Sequence, residues 1–485
     1  MSDNSKSSVL TSVPLGSLNA FLLLTAAIGL FTSNPLESVF AILQLKYILQ
    51  KLWKQNIPPV AVLLFLFPWL EISTSVFEAD IRGISLDEML HGTGRAAYWL
   101  SAFGLLCVQV GFQFVHQHTR LPDADRIRTV SQRYSLNRLI GLYFFVGPFT
   151  SFVARFIGRG ALYQLITYLN EISVVLLIAI CLRQIALKQF NAVFIGFLTA
   201  VAFLSFYSLF STWKIVAFAL FISFGTAVTL SRKLVMRIIF MSLVFGNLIF
   251  LWQGIKGEYR AFITGSENRG SLSSQAVVVG QEEALSKFVE LATAFYSEDQ
   301  DNSANFLVGD ELLYSTLRRA GYLEFFALVL NKVPEEIPHE NGELLKESLS
   351  FALIPRFLNP NKGVKDDGAK VEKYTNFIVS KTSSFSLGHY VEYFIDFKAI
   401  GMMVILFLYG LAGGAVYQFV LSRTFYNQAI LFALPVAYVC LDKWGSFQAD
   451  TVYLYGQTFF GTICHTILFI PLYRVIDRMA QRPNG

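Results

Sequence analysis

Charge is scarce in this chain, and the scarcity sets its broad class. Of 485 residues 15% are charged and 54% are hydrophobic, with 46 Phe and a mean hydropathy of +0.50. A soluble chain of this length would divide into two or three domains, each needing a polar exterior that this composition does not supply. Cysteine is scarce as well. Cys107, Cys181, Cys440 and Cys464 all fall inside apolar runs without CxxC spacing, which implies neither a disulfide framework nor a zinc site. They read as small core hydrophobes. A formal charge of +5 is too small to argue for nucleic acid. There is no P-loop, GxSxG or HExxH, so no convincing nucleotide-binding or metalloprotease signature. No internal repeat stands out, which weakens an inverted-repeat transporter reading. The opening MSDNSKSSVLTSVPLGSLNA lacks the basic n-region and cleavage site of a secretory signal, so the first apolar run is expected to remain as an anchor.

What the chain has in abundance is apolar runs of roughly twenty residues, the length that crosses a bilayer. They fall at about 18–33, 36–53, 58–77, 96–115, 138–157, 161–181, 190–210, 212–230, 235–254, 397–420, 428–446 and 453–473. The second, with Glu37 and Lys46, is the weakest. Basic residues in short loops are retained on the cytoplasmic side. Lys51 and Lys54, the group from Arg120 to Arg138, Arg183 and Lys188, Arg232 to Arg237, Arg423, and Arg474 to Arg482 occupy alternate loops. Both termini are therefore expected in the cytoplasm, with residues 255–396 outside. The expectation is an all-α polytopic membrane protein with about twelve transmembrane helices. Its segments are 1–254 (nine spans), 255–396 (an external cap) and 397–485 (three spans and a cytoplasmic tail). The cap holds 14 Lys/Arg against 21 Asp/Glu, an acidic balance opposite to that of the whole chain, and so reads as a folded unit. Leu285, Phe288, Leu291 and Phe295 recur at helical spacing, and further helices are expected from Glu311 to Lys332 and from Gly342 to Ile354, stopped by Pro355. SENRGSLSS and NPNKGVKDDGAK read as loops.

Cations at the outer membrane face need an explanation, because each is expensive near lipid. Arg155 and Arg159 share a helical face at the external end of the fifth span and repel unless an anion lies between them. A diphosphate suits two guanidinium forks, and snorkelling to lipid phosphates is the alternative. Lys214 stands where it can join them. QGIKGEYR gathers Lys256, Glu258 and Arg260 as the ninth span ends, either as a solvated collar or as the floor of a site. ESLSFALIPRFLNPNKG delivers Arg356 and Lys362 on a turn bounded by Pro355 and Pro360, and a fixed arginine loses less entropy on meeting an anion. Arg318 and Arg319 add cations in the preceding helix, or pair with nearby Glu311 and Glu324 on its surface. SFSLGHYVEYFIDFKAIG places His389, Tyr390, Glu392, Tyr393 and Asp396 at the re-entry into the membrane. His389 and Glu392, three residues apart, are the types that take a proton from a hydroxyl, and one can orient the other. Tyr390 and Tyr393 either hold a sugar or form an aromatic belt. Asp299 and Asp301, in EDQDNS, read as a solvated loop and not as a metal site.

A many-span chain with one large, late external loop that begins KGEYR, continues IPRFLNPNKG and ends GHYVEYFIDFKAIG resembles the Wzy-type oligosaccharide repeat-unit polymerases. The resemblance rests on Lys256 to Arg260, Ile354 to Lys362 and Gly388 to Asp396. Where many members carry a glycine eleven residues after the loop arginine, Arg356 has Asp367 there, and Arg260 has Gly270 one residue early. The resemblance implies a GT-C-like membrane glycosyltransferase of the bacterial inner membrane with its site facing the periplasm. It implies transfer of a glycan from polyprenyl diphosphate to a hydroxyl of another lipid-linked unit, with no cofactor and no metal. His389, Glu392, Arg356 and Arg260 are then the catalytic residues. Arg155, Arg159, Lys214, Lys256, Glu258, Arg318, Arg319, Lys362, Tyr390 and Tyr393 bind the substrate and its diphosphate. Partners are the polyprenyl-diphosphate-linked oligosaccharide, membrane lipids, and a chain-length regulator and flippase of the same pathway. O-antigen ligases use the same parts with a different acceptor. A transporter or flippase of an anionic lipid-linked glycan is the reading from another class, and it calls for ionisable residues along a transmembrane path. A structural scaffold leaves the outer-face cations unexplained.

Overall fold

A computed structural model describes residues 15–53, 59–119, 122–157, 161–206, 214–224, 279–297, 321–354, 367–378 and 386–482, with positions 247 and 317 and short pieces between 251 and 263. Among these residues there is no strand beyond one isolated bridge between Tyr134 and Gln481. The longer helices are α1 (Leu15–Gly29), α2 (Pro35–Leu52), α3 (Val60–Arg82), α4 (Gly94–His116), α5 (Leu136–Ile157), α6 (Ala161–Ala186), α7 (Ala192–Phe206) and α8 (Lys214–Phe224). They continue with α9 (Gln281–Ser297), α10 (Leu323–Leu330), α11 (Glu343–Leu353), α12 (Asp367–Thr375), α13 (His389–Ser422), α14 (Ile430–Leu441), α15 (Thr451–Leu468) and α16 (Ile470–Ala480).

Each apolar run expected from the sequence has a helix at its place, apart from 235–254, most of which lies outside the described residues. The count of twelve spans is not what the described residues give. Four helices are long and apolar enough to cross a membrane: Val60–Arg82, Gly94–His116, Tyr168–Ala186 and His389–Ser422. A fifth arises if Thr451–Leu468 and Ile470–Ala480, bent by 57°, are one broken span. The remainder fall short. Ile430–Leu441, at 12 residues, is about 18 Å long against a hydrocarbon layer of about 30 Å. All of its side chains are buried, as expected of a helix apolar on every face, so it is a core element.

The cap also differs from expectation. Gly321 and Tyr322 are not helical, so the stretch expected from Glu311 to Lys332 is described as helix only over Leu323–Leu330 and at 317. A Cβ at Gly321 would lie 2.6 Å from Ser75 Oγ, which fits the chain passing close to α3 at this point. The expected loop NPNKGVKDDGAK contains the start of α12. Leu323, Phe326, Ala327 and Val329 are buried in the same cluster as the membrane-length helices, so this part of the segment packs into the core.

Two of the long helices, α4 and α13, meet backbone to backbone. A Cβ at Gly111 would lie 2.2 Å from Phe407 O, and one at Gly410 2.1 Å from Val108 O. Small residues at such a seam let helices approach closely where lipid offers no hydrophobic drive. At one end of the bundle Ser135 N donates to Ala480 O, Arg482 N to Arg133 O, and Arg138 to Gln481 O at 2.7 Å. The basic loop after α4 and the C-terminal basic turn therefore share one face, as the alternation of charged loops requires.

Candidate functional site at the re-entry helix

The helix written as His389–Ser422 has a break at Lys398, whose φ of 61° and ψ of −177° are not helical. His389 to Phe397 thus form a short helix of their own before the span. Its first residue is fixed by a glycine. Gly388 has φ +82°, and a Cβ there would sit 2.5 Å from Phe447 O, so only glycine brings the chain this close to the strip 446–450.

That strip holds the helix. Ala449 O accepts from His389 N at 2.8 Å and from His389 Nδ1 at 3.0 Å. A carbonyl only accepts, so Nδ1 carries the proton and neutral His389 presents Nε2 as a lone pair. Nε2 is buried and has no hydrogen-bond partner among the described residues. Around the imidazole lie the rings of Tyr390, Tyr393 and Tyr409, with centroids at 4.7, 5.8 and 5.4 Å. Tyr393 donates its hydroxyl proton to Tyr455 at 3.1 Å, and Tyr409 stacks on Trp444.

Glu392 makes no hydrogen bond to His389 among the described residues. Its Oε2 accepts from Thr451 N and its Oε1 from Lys370 Nζ, each at 2.8 Å. The two residues read as mutual orienters are instead oriented separately by the strip and by α12. Burial alone draws the Lys370 ammonium toward its neutral form, but Glu392, with Asp450 and Asp367 beyond it, overrides this and holds the pKa above the ordinary lysine value. Asp396 accepts from Leu344 N at 3.1 Å and Leu345 N at 2.7 Å, so its carboxylate caps the N-terminus of α11. The strip is in turn anchored to α3, where Glu71 accepts from Phe447 N at 2.8 Å.

The other sequence candidates are not gathered here. Arg155 lies in α5 and Lys214 opens α8. Arg159, Lys256, Arg260, Arg318, Arg319, Arg356 and Lys362 lie outside the described residues, as do Asp299 and Asp301. Glu258 is exposed and lies 3.6 Å from Lys287 of α9, beside a small separate cluster of Leu251, Trp252, Ile255 and Tyr259. Sequence reasoning missed Lys370, Glu71 and the strip. Asp450 and Thr451 carried one usable sign, since Asp before a helix start is a cap signature, and Asp450 does accept from Tyr453 N at 3.0 Å.

Residues 122–423, more than half of the chain, match the family described as "Domain of unknown function (DUF8712)". The chain belongs to this family. No curated protein and no solved structure matches it. The DUF8712 segment contains α11, α12 and the re-entry helix, while Glu71 and the strip that fixes His389 lie outside it.

Proposed function

We propose that this DUF8712 protein is a membrane glycosyltransferase that polymerises polyprenyl-diphosphate-linked oligosaccharide repeat units at the external face of the bacterial inner membrane. One observation carries the reading. The segment with Arg356 and Lys362 leaves α11, whose N-terminus is capped by Asp396, and enters α12, whose Lys370 pairs with Glu392. Two of the three motif stretches that resemble the polymerases are thereby tied to one short helix. His389 Nε2 is the group there with a free lone pair for an acceptor hydroxyl. Glu392, committed to Lys370 and Thr451, keeps the helix in place. Arg356, Lys362, Arg260, Lys256, Arg318, Arg319, Arg155, Arg159 and Lys214 supply the positive charge for the leaving diphosphate. His389 is 1% exposed, so the acceptor reaches it by parting the tyrosines that enclose it.

The test is reconstitution in lipid with a polyprenyl-diphosphate repeat unit and separation of the products on a gel. A ladder of lengths supports polymerisation. A single transfer to a different acceptor points to ligation, and vectorial movement without a new glycosidic bond to transport. Either result overturns the proposal.

A further inference from the structure

Helices α6, α15 and α16 enclose a second polar group, which the proposed reaction does not use. Glu171 lies about 15 Å along α6, a helix of about 39 Å, and so at hydrocarbon depth if α6 spans. His465 of α15, with 0% exposure, meets it. His465 Nε2 is 3.1 Å from Glu171 Oε2, and Nδ1 is 2.8 Å from the Tyr473 hydroxyl of α16. Tyr426 donates its hydroxyl proton to the His465 carbonyl. The titratable groups facing the pair are Tyr168 on the helix of Glu171, Cys440 on α14, Cys464 beside His465, Tyr473 and Tyr426. Asp442 and Tyr453 stand behind Cys440 and Tyr168. None of these is a cation.

This geometry accommodates two protonation states. With a single proton on the imidazole, Nε2–H donates to the carboxylate, Nδ1 accepts from Tyr473, and the pair has a net charge of −1. One more proton gives either imidazolium beside carboxylate or imidazole beside carboxylic acid, both neutral. The tyrosine hydroxyl donates or accepts as required, so Nδ1 keeps its partner in each form. An unbalanced charge in the hydrocarbon is costly, and one proton removes it. The Glu171 side chain is 26% exposed, which leaves a route for that proton.

We infer that Glu171 and His465 form an intramembrane proton-binding site, which takes up one proton from solvent and becomes neutral. A single N–H or O–H bond forms and a solvent acid loses its proton. His465 lies in a π-helical stretch, Cys464–Leu468, and a second one spans Leu454–Phe459 of the same helix. Such widened turns recur at functional positions in helices. The opposite end of α15 carries Thr451 and Tyr455, which bond Glu392 and Tyr393, so one helix joins the proton site to the re-entry helix.

The test uses the full chain in lipid nanodiscs with 15N-labelled histidine. The His465 signals are identified by their loss in His465→Gln. Between about pH 5 and 8 either the His465 nitrogens or the Glu171 carboxyl should change protonation. Glu171→Gln should lower the proton affinity of His465 at least tenfold, moving its midpoint down by one pH unit or more. Infrared spectra of the unmodified protein follow the carboxylic acid C=O band and need no variant to fold. If neither group titrates over that range, or if His465 titrates unchanged in Glu171→Gln, the inference is wrong. Neither readout depends on glycan transfer, so its failure is distinct from failure of the proposed function.

Discussion

Lys370 Nζ lies 2.8 Å from the Glu392 carboxylate, with side-chain exposures of 17% and 2%. A pair so enclosed is stabilising only while both partners remain. Lys370→Met leaves a buried carboxylate with Thr451 N alone, and the expected loss of stability is on the order of 3–5 kcal/mol. Lys370→Met with Glu392→Gln should recover a large part of it, since the uncompensated charge is gone. Chemical unfolding of the two singles and the double in detergent gives the coupling directly. A coupling below about 1 kcal/mol would place the pair among weak surface contacts.

Stability should depend on pH in a direction that the same pair fixes. The Lys370 pKa is raised in the folded state, so its contribution is complete below the unfolded lysine value of about 10.4 and is lost as pH rises through the higher folded value. Glu340 acts in the opposite sense. Hydrogen bonds from Lys373 and Tyr374 lower its pKa, so its contribution is present above about pH 4.3 and fades as pH falls through the folded value. With 26% of its side chain exposed, Glu340 contributes about 1 kcal/mol at most. Unfolding followed from about pH 8 to 11 should show a steeper alkaline decline in the wild type than in the Lys370→Met, Glu392→Gln double variant. Parallel curves would remove Lys370 as the cause.

Gly388→Ala is expected to be damaging out of proportion to one methyl group. The residue has φ +82°, and the added Cβ would lie 2.5 Å from Phe447 O, on the strip that hydrogen-bonds His389. The cost should be about 1–3 kcal/mol in stability, with glycan transfer reduced as His389 shifts. Gly196, inside α7 with nothing within 4 Å of the place an added methyl would take, is the comparison. Its alanine variant should be neutral or stabilised by up to about 1 kcal/mol. Equal thermal stability of the two variants would mean that the glycine is not what sets the approach of the strip.

Much of the helical inventory was legible because twenty apolar residues in a row leave few alternatives. The number of spans was less so. Composition marks Ile430–Leu441 as apolar but does not say that its 12 residues end at a tight turn, Asp442–Gly445, and stay in the core. The His389–Asp396 cluster was legible as chemistry, since a His, a Glu and an Asp within eight residues of an apolar run are conspicuous. Their partners were not. Lys370 and Thr451 lie 22 and 59 positions from Glu392, and Ala449 contributes only a carbonyl, which every residue carries. The Glu171–His465 contact spans 294 positions, and neither residue had a neighbour in sequence to betray the other. The break at Lys398 falls on a lysine with φ 61°, where a glycine would have announced it.

Glycan transfer is expected to depend on Arg356 in a way that charge alone does not satisfy. Pro355 precedes it and Pro360 follows, restricting the chain around it, and the connection that carries it runs between two helices fastened to the re-entry helix. Lysine keeps the positive charge but loses the planar fork that grips two phosphate oxygens. Arg356→Lys should therefore be nearly as damaging as Arg356→Ala, each losing on the order of 3 kcal/mol, about a hundredfold in rate. A surface ion pair would contribute about 1 kcal/mol at most and would let lysine substitute freely. Lys346→Ala is the control, because Lys346 lies 3.2 Å from Glu343 with both side chains exposed on α11, the helix that leads to Arg356. Its transfer rate should stay within about twofold of wild type, in line with an exposed pair. Polymer length and transfer rate, measured at matched protein levels in the membrane, decide the matter. Wild-type polymer from Arg356→Lys would take Arg356 out of the site, and a loss that tracks protein abundance alone would make it a folding residue.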